Sequence, residues 1–460
     1  MGCASPLHAT NWTASGAATG RHIRTPTTPL ARPAGRRKGC AVPTASANYR
    51  TLLSTSGAAA FFLPAAVGRL GIAMTGIGIV WLVHARTGSY AAAGLVTGGF
   101  AVADAVAGPQ IGRLVDRFGQ TRVLPGALGA HAGAVALLLA GAVPDLVAGV
   151  LVGATLPQLG ALSAARWSAL LSGERGAALP TAFALEALAN GMSYLAGPAL
   201  VSVLGAAGRP GAGVLLAAAL VVGGGLALAA QRRTTPPLTG SAERRHAGRA
   251  LLRSAFLRQA ALGLALGVFF GAMQVSVTAY AVSRGTPDAA APLYFASNCT
   301  NLVGGWAYGA WRHGGSLRRH QAAAAACLTL ASLPLTFFDA PLAVGATLAL
   351  TGLAVPVLLI LTSVLTESAV PRPVLTQAFT WGNSASAAGI AGAAAVAGRV
   401  VDTAGAHGGF GVAAGAAVVM EVLALGALRD SSTAVPKSSA PAETTESAAG
   451  GSPPPETPLS

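Results

Sequence analysis

Between residues 59 and 428 the chain is a succession of apolar runs of about 20 residues, separated by short loops of glycine, proline and arginine. A run of that length spans roughly 30 Å of hydrocarbon as an α-helix. In hydrocarbon every backbone N–H and C=O must find its partner within the segment. A chain built of such runs therefore reads as an all-α membrane protein. The composition agrees, since 53% of the residues are apolar and only 10% are charged, where a soluble protein carries about 25% charged residues. The 60 glycines would weaken soluble helices, but small residues let membrane helices approach closely. Small pairs four apart recur at Gly94 and Gly98, at Gly108 and Gly112, and at Gly263, Gly267 and Gly271.

Twelve transmembrane helices are expected, at 59–84, 90–112, 122–143, 146–165, 178–205, 211–230, 259–282, 290–311, 321–338, 341–364, 374–400 and 408–428. Residues 1–58 hold Pro, Thr, Gly and basic residues without periodicity and read as a disordered cytoplasmic tail, as does the Ser-, Thr-, Pro- and Glu-rich stretch 429–460. The first six spans occupy 59–230 and the second six 259–428, lengths of 172 and 170 residues, with a basic linker at 231–258. The two sets echo each other. The basic loop Arg113 to Arg122 returns as Arg312 to Arg319, and Ala182-Phe183 at the start of the fifth span returns as Ala378-Phe379 at the start of the eleventh. Two six-helix pseudo-repeats in parallel orientation imply a pseudo-two-fold axis along the membrane normal, with a site between the bundles near mid-membrane.

A net charge of +15 raises nucleic acid as a partner. The arginines lie between spans, however, with no basic face and no interleaved aromatics, so nucleic acid is not expected. With the N-terminus inside, 25 of the 30 basic residues fall in inner segments and four, Arg86, Arg209, Arg284 and Arg399, in outer loops. That asymmetry predicts a multi-pass protein of the cell membrane with both termini cytoplasmic. Two lysines against 28 arginines indicate a GC-rich coding bias of the actinobacterial kind. Cys3, Cys40, Cys299 and Cys327 show neither CxxC nor metal-ligand spacing and are expected to be free thiols, and no metal or cofactor is expected.

Residues 112–124, GRLVDRFGQTRVL, are a knot of charge between two apolar runs. Arginines alone would serve to hold the loop inside, but Asp116 asks for more. Gly112, Leu114, Asp116, Arg117 and Gly119 stand as G-x-L-x-D-R-x-G, and that spacing after the second of twelve spans resembles the major facilitator superfamily, over 59–428. The resemblance implies that fold and alternating access. It also implies that Asp116 latches the bundles on the cytoplasmic side, against Arg166 at the inner end of the fourth span and against the start of the eleventh, from about Val374. Physically, Gly112 and Gly119 permit a tight turn and close helix approach, while a carboxylate can accept from arginines or sit at the positive end of a helix. After Gly119 the family pattern has two basic residues, and Gln120 and Thr121 stand here instead. The second copy, GWAYGAWRHGGSLRR, keeps Gly305 and Gly309 but has no acid, so one strong latch is expected. In the fifth span Gly191, Gly197 and Pro198 are similar to the glycine-proline motif of antiporters in that family. A plain proline kink accounts for the same residues.

Charged groups inside spans are costly and mark function by default. Arg69, Asp104 and Glu186 all fall roughly 12 to 15 Å from the cytoplasmic face at about 1.5 Å per residue, and the resemblance places their helices around the central cavity. One buried network is expected, in which Arg69 holds a carboxylate whose protonation couples to substrate movement. A static ion pair is the alternative. Tyr194, Gln274, Tyr280, Tyr294, Asn298, Asn301, Trp381 and Asn383 are candidates for lining the cavity, each with interhelical hydrogen bonding as its alternative. His131 and Glu421 are expected outside it. No HExxH, GxSxG or phosphate loop is present, so neither an enzyme nor an ATP-driven pump is expected. The expectation is a monomeric secondary transporter that exports a small, partly hydrophobic molecule in exchange for protons. The alternatives are a metabolite uniporter or proton symporter, and a non-transporting membrane sensor.

Overall fold

The computed structural model describes residues 49–238, 247–286, 290–310 and 315–433. Most of the tails, residues 239–246 of the linker and 311–314 of the second basic loop lie outside the described residues. Among those described the chain is helical throughout, with no strand. The spans are α1 Ala58–Thr87, α2 Tyr90–Phe118, α3 Gln120–Ala140, α4 in two pieces, Asp145–Thr155 and Leu159–Leu170, α5 Leu179–Ala206, and α6 Pro210–Ala230. The second set is α7 Ser254–Ser283, α8 Ala290–Ala310, α9 Leu317–Ser332, α10 Pro341–Ala369, α11 at 375–404 and α12 at 406–433. A one-turn helix, Tyr49–Leu53, precedes them.

Among the described residues, nine segments are long and apolar enough to cross a membrane on their own. One of these, Arg372–Arg429, is 58 residues long and holds both α11 and α12, which meet at Gly405. Two spans fall short for visible reasons. α8 carries Ser297, Asn298, Thr300 and Asn301, and α9 has 16 residues and opens on Arg318, Arg319, His320 and Gln321. The polar groups of α8 are half-buried against neighbouring helices, Gln321 of α9 is fully buried, and Arg319 at the start of α9 stays exposed.

The helices outrun the apolar runs. α2 continues six residues past Gly112, through the charged knot, and stops only at Gly119, whose φ of 88° and ψ of 149° leave the helical region. Hydropathy marks where hydrocarbon ends; backbone geometry marks where a helix ends, and between 112 and 118 no glycine or proline interrupts α2. The fourth span differs in the opposite sense. Expected as one run at 146–165, it is broken between Thr155 and Leu159, because Pro157 offers no N–H and pushes Leu156 to an extended ψ of 117°.

Two large apolar cores and one small cluster hold the spans together. The first core runs from Leu52 to Phe256 and takes in the end of α10 and the start of α11, the second runs from Leu262 to Ala424, and the small cluster is Met74, Val201 and Ala217. α7 and α11 pack at backbone distance: a Cβ on Gly267 would overlap the backbone of Ser386, and one on Gly389 that of Leu264. Each bundle is also closed, at the end away from residues 112–124, by a matching ion pair. Arg86 at the end of α1 lies 2.8 Å from Asp145 at the start of α4, and Arg284 after α7 lies 2.9 Å from Asp339 before α10.

Candidate functional site

Because α2 runs on to Phe118, Gly108, Gly112 and Asp116 fall four apart on one helical face. Gly112 and Asp116 on that face lie on α11, while Gly108 faces Gln158 in the break of α4. Asp116 Oδ2 accepts the backbone N–H of Gln377 at 2.8 Å. Gln377 is in the first turn of α11, where N–H groups lack partners in their own helix and the helix dipole favours negative charge. One turn back, a Cβ on Gly112 would overlap the Thr380 side chain, so glycine is what admits α2 this close.

Arg166 does not supply the expected second half of this latch. It is fully buried within the first bundle, with Nε donating to Gln120 Oε1 at 2.7 Å, Nη1 to Gln231 O at 2.7 Å and Nη2 to Leu228 O at 2.9 Å. Leu228 and Gln231 end α6, whose last carbonyls lack helical partners, so Arg166 caps that helix. The departure from the family pattern at Gln120 now has a reason. Gln120 is 3% exposed against Arg166, and a base there would bury two like charges together.

The second bundle meets the first by a mirrored contact. Gly309 of α8 lies on Ala184 of α5 as Gly112 lies on Thr380, and Thr181 Oγ1 donates to Gly309 O at 3.0 Å. The equivalent rings Phe183 and Phe379 stand 5.7 Å apart, as a two-fold axis requires of a residue beside it. On the α8 side Tyr49 adds a bond from its hydroxyl to Trp306 O at 3.0 Å. These contacts close the end of the molecule that carries residues 112–124, called the gate end below.

Deeper in, Arg69 and Glu186 meet, with Nη1 2.6 Å from Oε2 and exposures of 6% and 8%. Glu186 Oε1 also accepts from Ser163 Oγ at 2.5 Å and Trp167 Nε1 at 2.8 Å, and Phe62 covers the guanidinium at 5.8 Å. Asp104 stands apart from this cluster. With α2 ending at Phe118, Asp104 lies about 21 Å from the gate end of its helix, whereas Glu186 lies about 10 Å into α5. Asp104 Oδ1 accepts from Gln158 Nε2 at 2.6 Å, and Gln158 Oε1 accepts from Asn383 Nδ2 at 3.2 Å. Gln158 projects from the break in α4, so one line of polar groups joins α2, α4 and α11. Tyr194, mostly exposed, is within electrostatic reach of Asp104.

The other candidates divide. Tyr294 Oη donates to Gln274 O at 2.5 Å, Asn298 Nδ2 bonds back to Tyr294 O at 2.9 Å, and Asn301 follows on the same face of α8. Tyr280 is not on the cavity, being 3% exposed with its hydroxyl on Asp339 O at 2.6 Å in the far clamp. Trp381 is two residues from Asn383 and so points about 160° away from it. Gly191 faces Leu302 of α8 and Gly197 faces Ala73 of α1, while Pro198 stands within a continuous α5. His131 is fully buried beside Thr155 of α4, and Glu421 is half-buried on α12.

Sequence reasoning missed Gln158 and the two far clamps. Pro157 was the signal for the first. For the second it was the recurrence of an arginine closing the first span of each bundle and an aspartate opening the fourth.

The profile of the Major Facilitator Superfamily matches residues 61–346. The human organic anion transporter MFSD10 (TETRAN) is similar in structure, with 17% identity and a TM-score of 0.63 over 80% of this chain and 98% of that one. So is a bacterial homologue of the iron transporter ferroportin in its outward-facing state, with 12% identity and a TM-score of 0.64 over 80% and 98%. The transporter FucP in the outward conformation gives 16% and 0.61 over 79% and 97%. At these identities the likeness is one of fold. No curated protein sequence matches the chain.

Proposed function

The chain belongs to the Major Facilitator Superfamily, and from that premise we propose that it is a proton-coupled efflux carrier for a small, partly hydrophobic molecule. Membership and the transporter folds it resembles point to membrane transport rather than catalysis. The coupling reading is carried by Asp104. This acid sits at mid-span, is bonded through two amides to the opposite bundle, and has no cation in its hydrogen-bonded line. A carboxylate at that depth is costly to keep charged, and one placed between moving bundles changes its surroundings as they move. Glu186 is bound by an arginine and two further donors within one bundle, which supports the static reading for the Arg69 pair.

Two features favour export. Gly197-Pro198 in α5 is the partial antiporter motif, and the gate end is closed by Asp116 on Gln377 and by Gly309 on Ala184. With the arginine-rich end cytoplasmic, this is an outward-facing carrier of the cell membrane, monomeric and with both termini inside. The test uses proteoliposomes with a pH dye inside and a substrate found by screening a deletion strain across toxic compounds and secreted metabolites. Antiport and symport move protons in opposite senses on substrate addition, and a sensor moves none. Asp104→Asn should abolish the proton signal; a signal of wild-type size in that variant removes Asp104 from the coupling.

A further inference from the structure

The polar line at mid-span has a direction. An ionised carboxylate only accepts, so Asp104 takes the NH2 group of Gln158, which leaves the Gln158 carbonyl turned toward α11, where Asn383 donates. Gln158 has φ of −77° and ψ of 70°, outside both pieces of α4, and irregular backbone at membrane depth is tolerated only where protein or a cavity surrounds it. Its amide joins a carboxylate of the first bundle to an amide of the second. Asn383 stands six residues deeper along α11 than Gln377, which carries the gate contact.

We propose that Asp104, Gln158 and Asn383 form a proton-read bar between the bundles, with Gln158 and Asn383 as positioning residues. The ionised acid sets the amide polarity that holds the gate end shut, and a proton bound at Asp104 loosens it. This rests on the coupling reading above. A hydronium ion in the cavity gives up one O–H bond and its proton forms an O–H bond on the Asp104 carboxylate, leaving a water molecule and a neutral acid. A hydrogen bond to a charged group is roughly twice as strong as a neutral one, and a charge at one end of a chain of dipoles strengthens every link. Once Asp104 is neutral, Gln158 has two amide orientations open to it, and one of them turns NH2 toward the NH2 of Asn383. The groups facing Asp104 are Gln158 of α4, Tyr194 of α5 and, through Gln158, Asn383 of α11. Of the elements packed on α2, α1 turns its buried arginine, Arg69, to Glu186, and α3 turns His131 to Thr155.

The experiment uses full-length protein with its four cysteines replaced by alanine and spin labels at R175C and R372C, exposed positions on the two bundles at the gate end. Label distance reports closure, and a pH dye in lightly buffered solution reports proton uptake. In the labelled parent protein, acidification should bind a proton and lower the closed-to-open ratio by about tenfold. D104N should stay at the acid level at every pH. N383A and Q158A should still bind the proton while their closure no longer follows it, with melting temperatures near that of the parent. If closure follows pH in N383A and Q158A as it does in the parent, the bar is wrong although the coupling stands. If the parent binds no proton that D104N lacks, the coupling reading itself falls and the bar with it.

Discussion

Asp104 and Glu186 are both carboxylates within spans, and their neighbours give them different uses. Glu186 is enclosed by Arg69, Ser163 and Trp167, so Glu186→Gln leaves a buried arginine without its counter-charge. Breaking a buried pair in this way costs about 3 to 5 kcal/mol, which thermal melting in detergent would register as a large loss or as failure to fold. Asp104→Asn keeps an oxygen for Gln158 and creates no orphaned charge, so melting should stay within about 1 kcal/mol of wild type. Equal destabilisation by the two variants would mean that Asp104 too is structural. Gly112 is sensitive for a steric reason. Gly112→Ala sets a methyl against Thr380, and overpacking of about 1 to 3 kcal/mol should bear on the closed gate alone, visible as a higher open fraction by label distance with little change in expression.

At the scale of elements, what matters is where helices stop and break. The overrun of α2 past the apolar run turns a presumed loop into nearly two extra turns, and this brings Asp116 to the first turn of α11. Asp116→Asn keeps an acceptor for Gln377 but loses the charge–dipole attraction, about 0.3 to 1 kcal/mol. Alkylation of a cysteine placed at Asn298, added from the far side, should therefore slow by about two- to fivefold; an unchanged rate would leave the motif as an orientation signal only. α11 and α12 are joined through Gly405, at φ 68° and ψ −172°, a region open essentially to glycine. Gly405→Ala should cost about 1 to 3 kcal/mol in thermal melting, and a neutral result would show that the joint relaxes freely.

At the scale of the whole molecule, the ion pairs Arg86–Asp145 and Arg284–Asp339 tie helices within each bundle, while the bonds of Asp116, Thr181 and Gln158 tie one bundle to the other. That division suits two rigid bodies rocking about a central axis. In the proposed orientation the arginine-rich gate end is cytoplasmic, so reporters fused before residue 49 and after residue 433 should both be active inside the cell; one reporter outside would overturn that orientation. The sequence by itself determined the all-helical fold, the twelve spans and the repeat, because hydrophobic length and the spacing of equivalent residues are written along the chain. It also placed Arg69 with a carboxylate at its depth, since opposite charges in hydrocarbon have strong reason to meet, but it drew Asp104 and Glu186 into one network and left open which acid the arginine holds. Only the tertiary structure decided that Asp116 caps α11 through a backbone N–H, that Arg166 turns to α6 and that Asp104 answers to Gln158 and Asn383. A backbone group carries no mark in the sequence, and the depth of a side chain depends on how far each helix outruns the apolar run and where it breaks, which is settled only when the bundles pack.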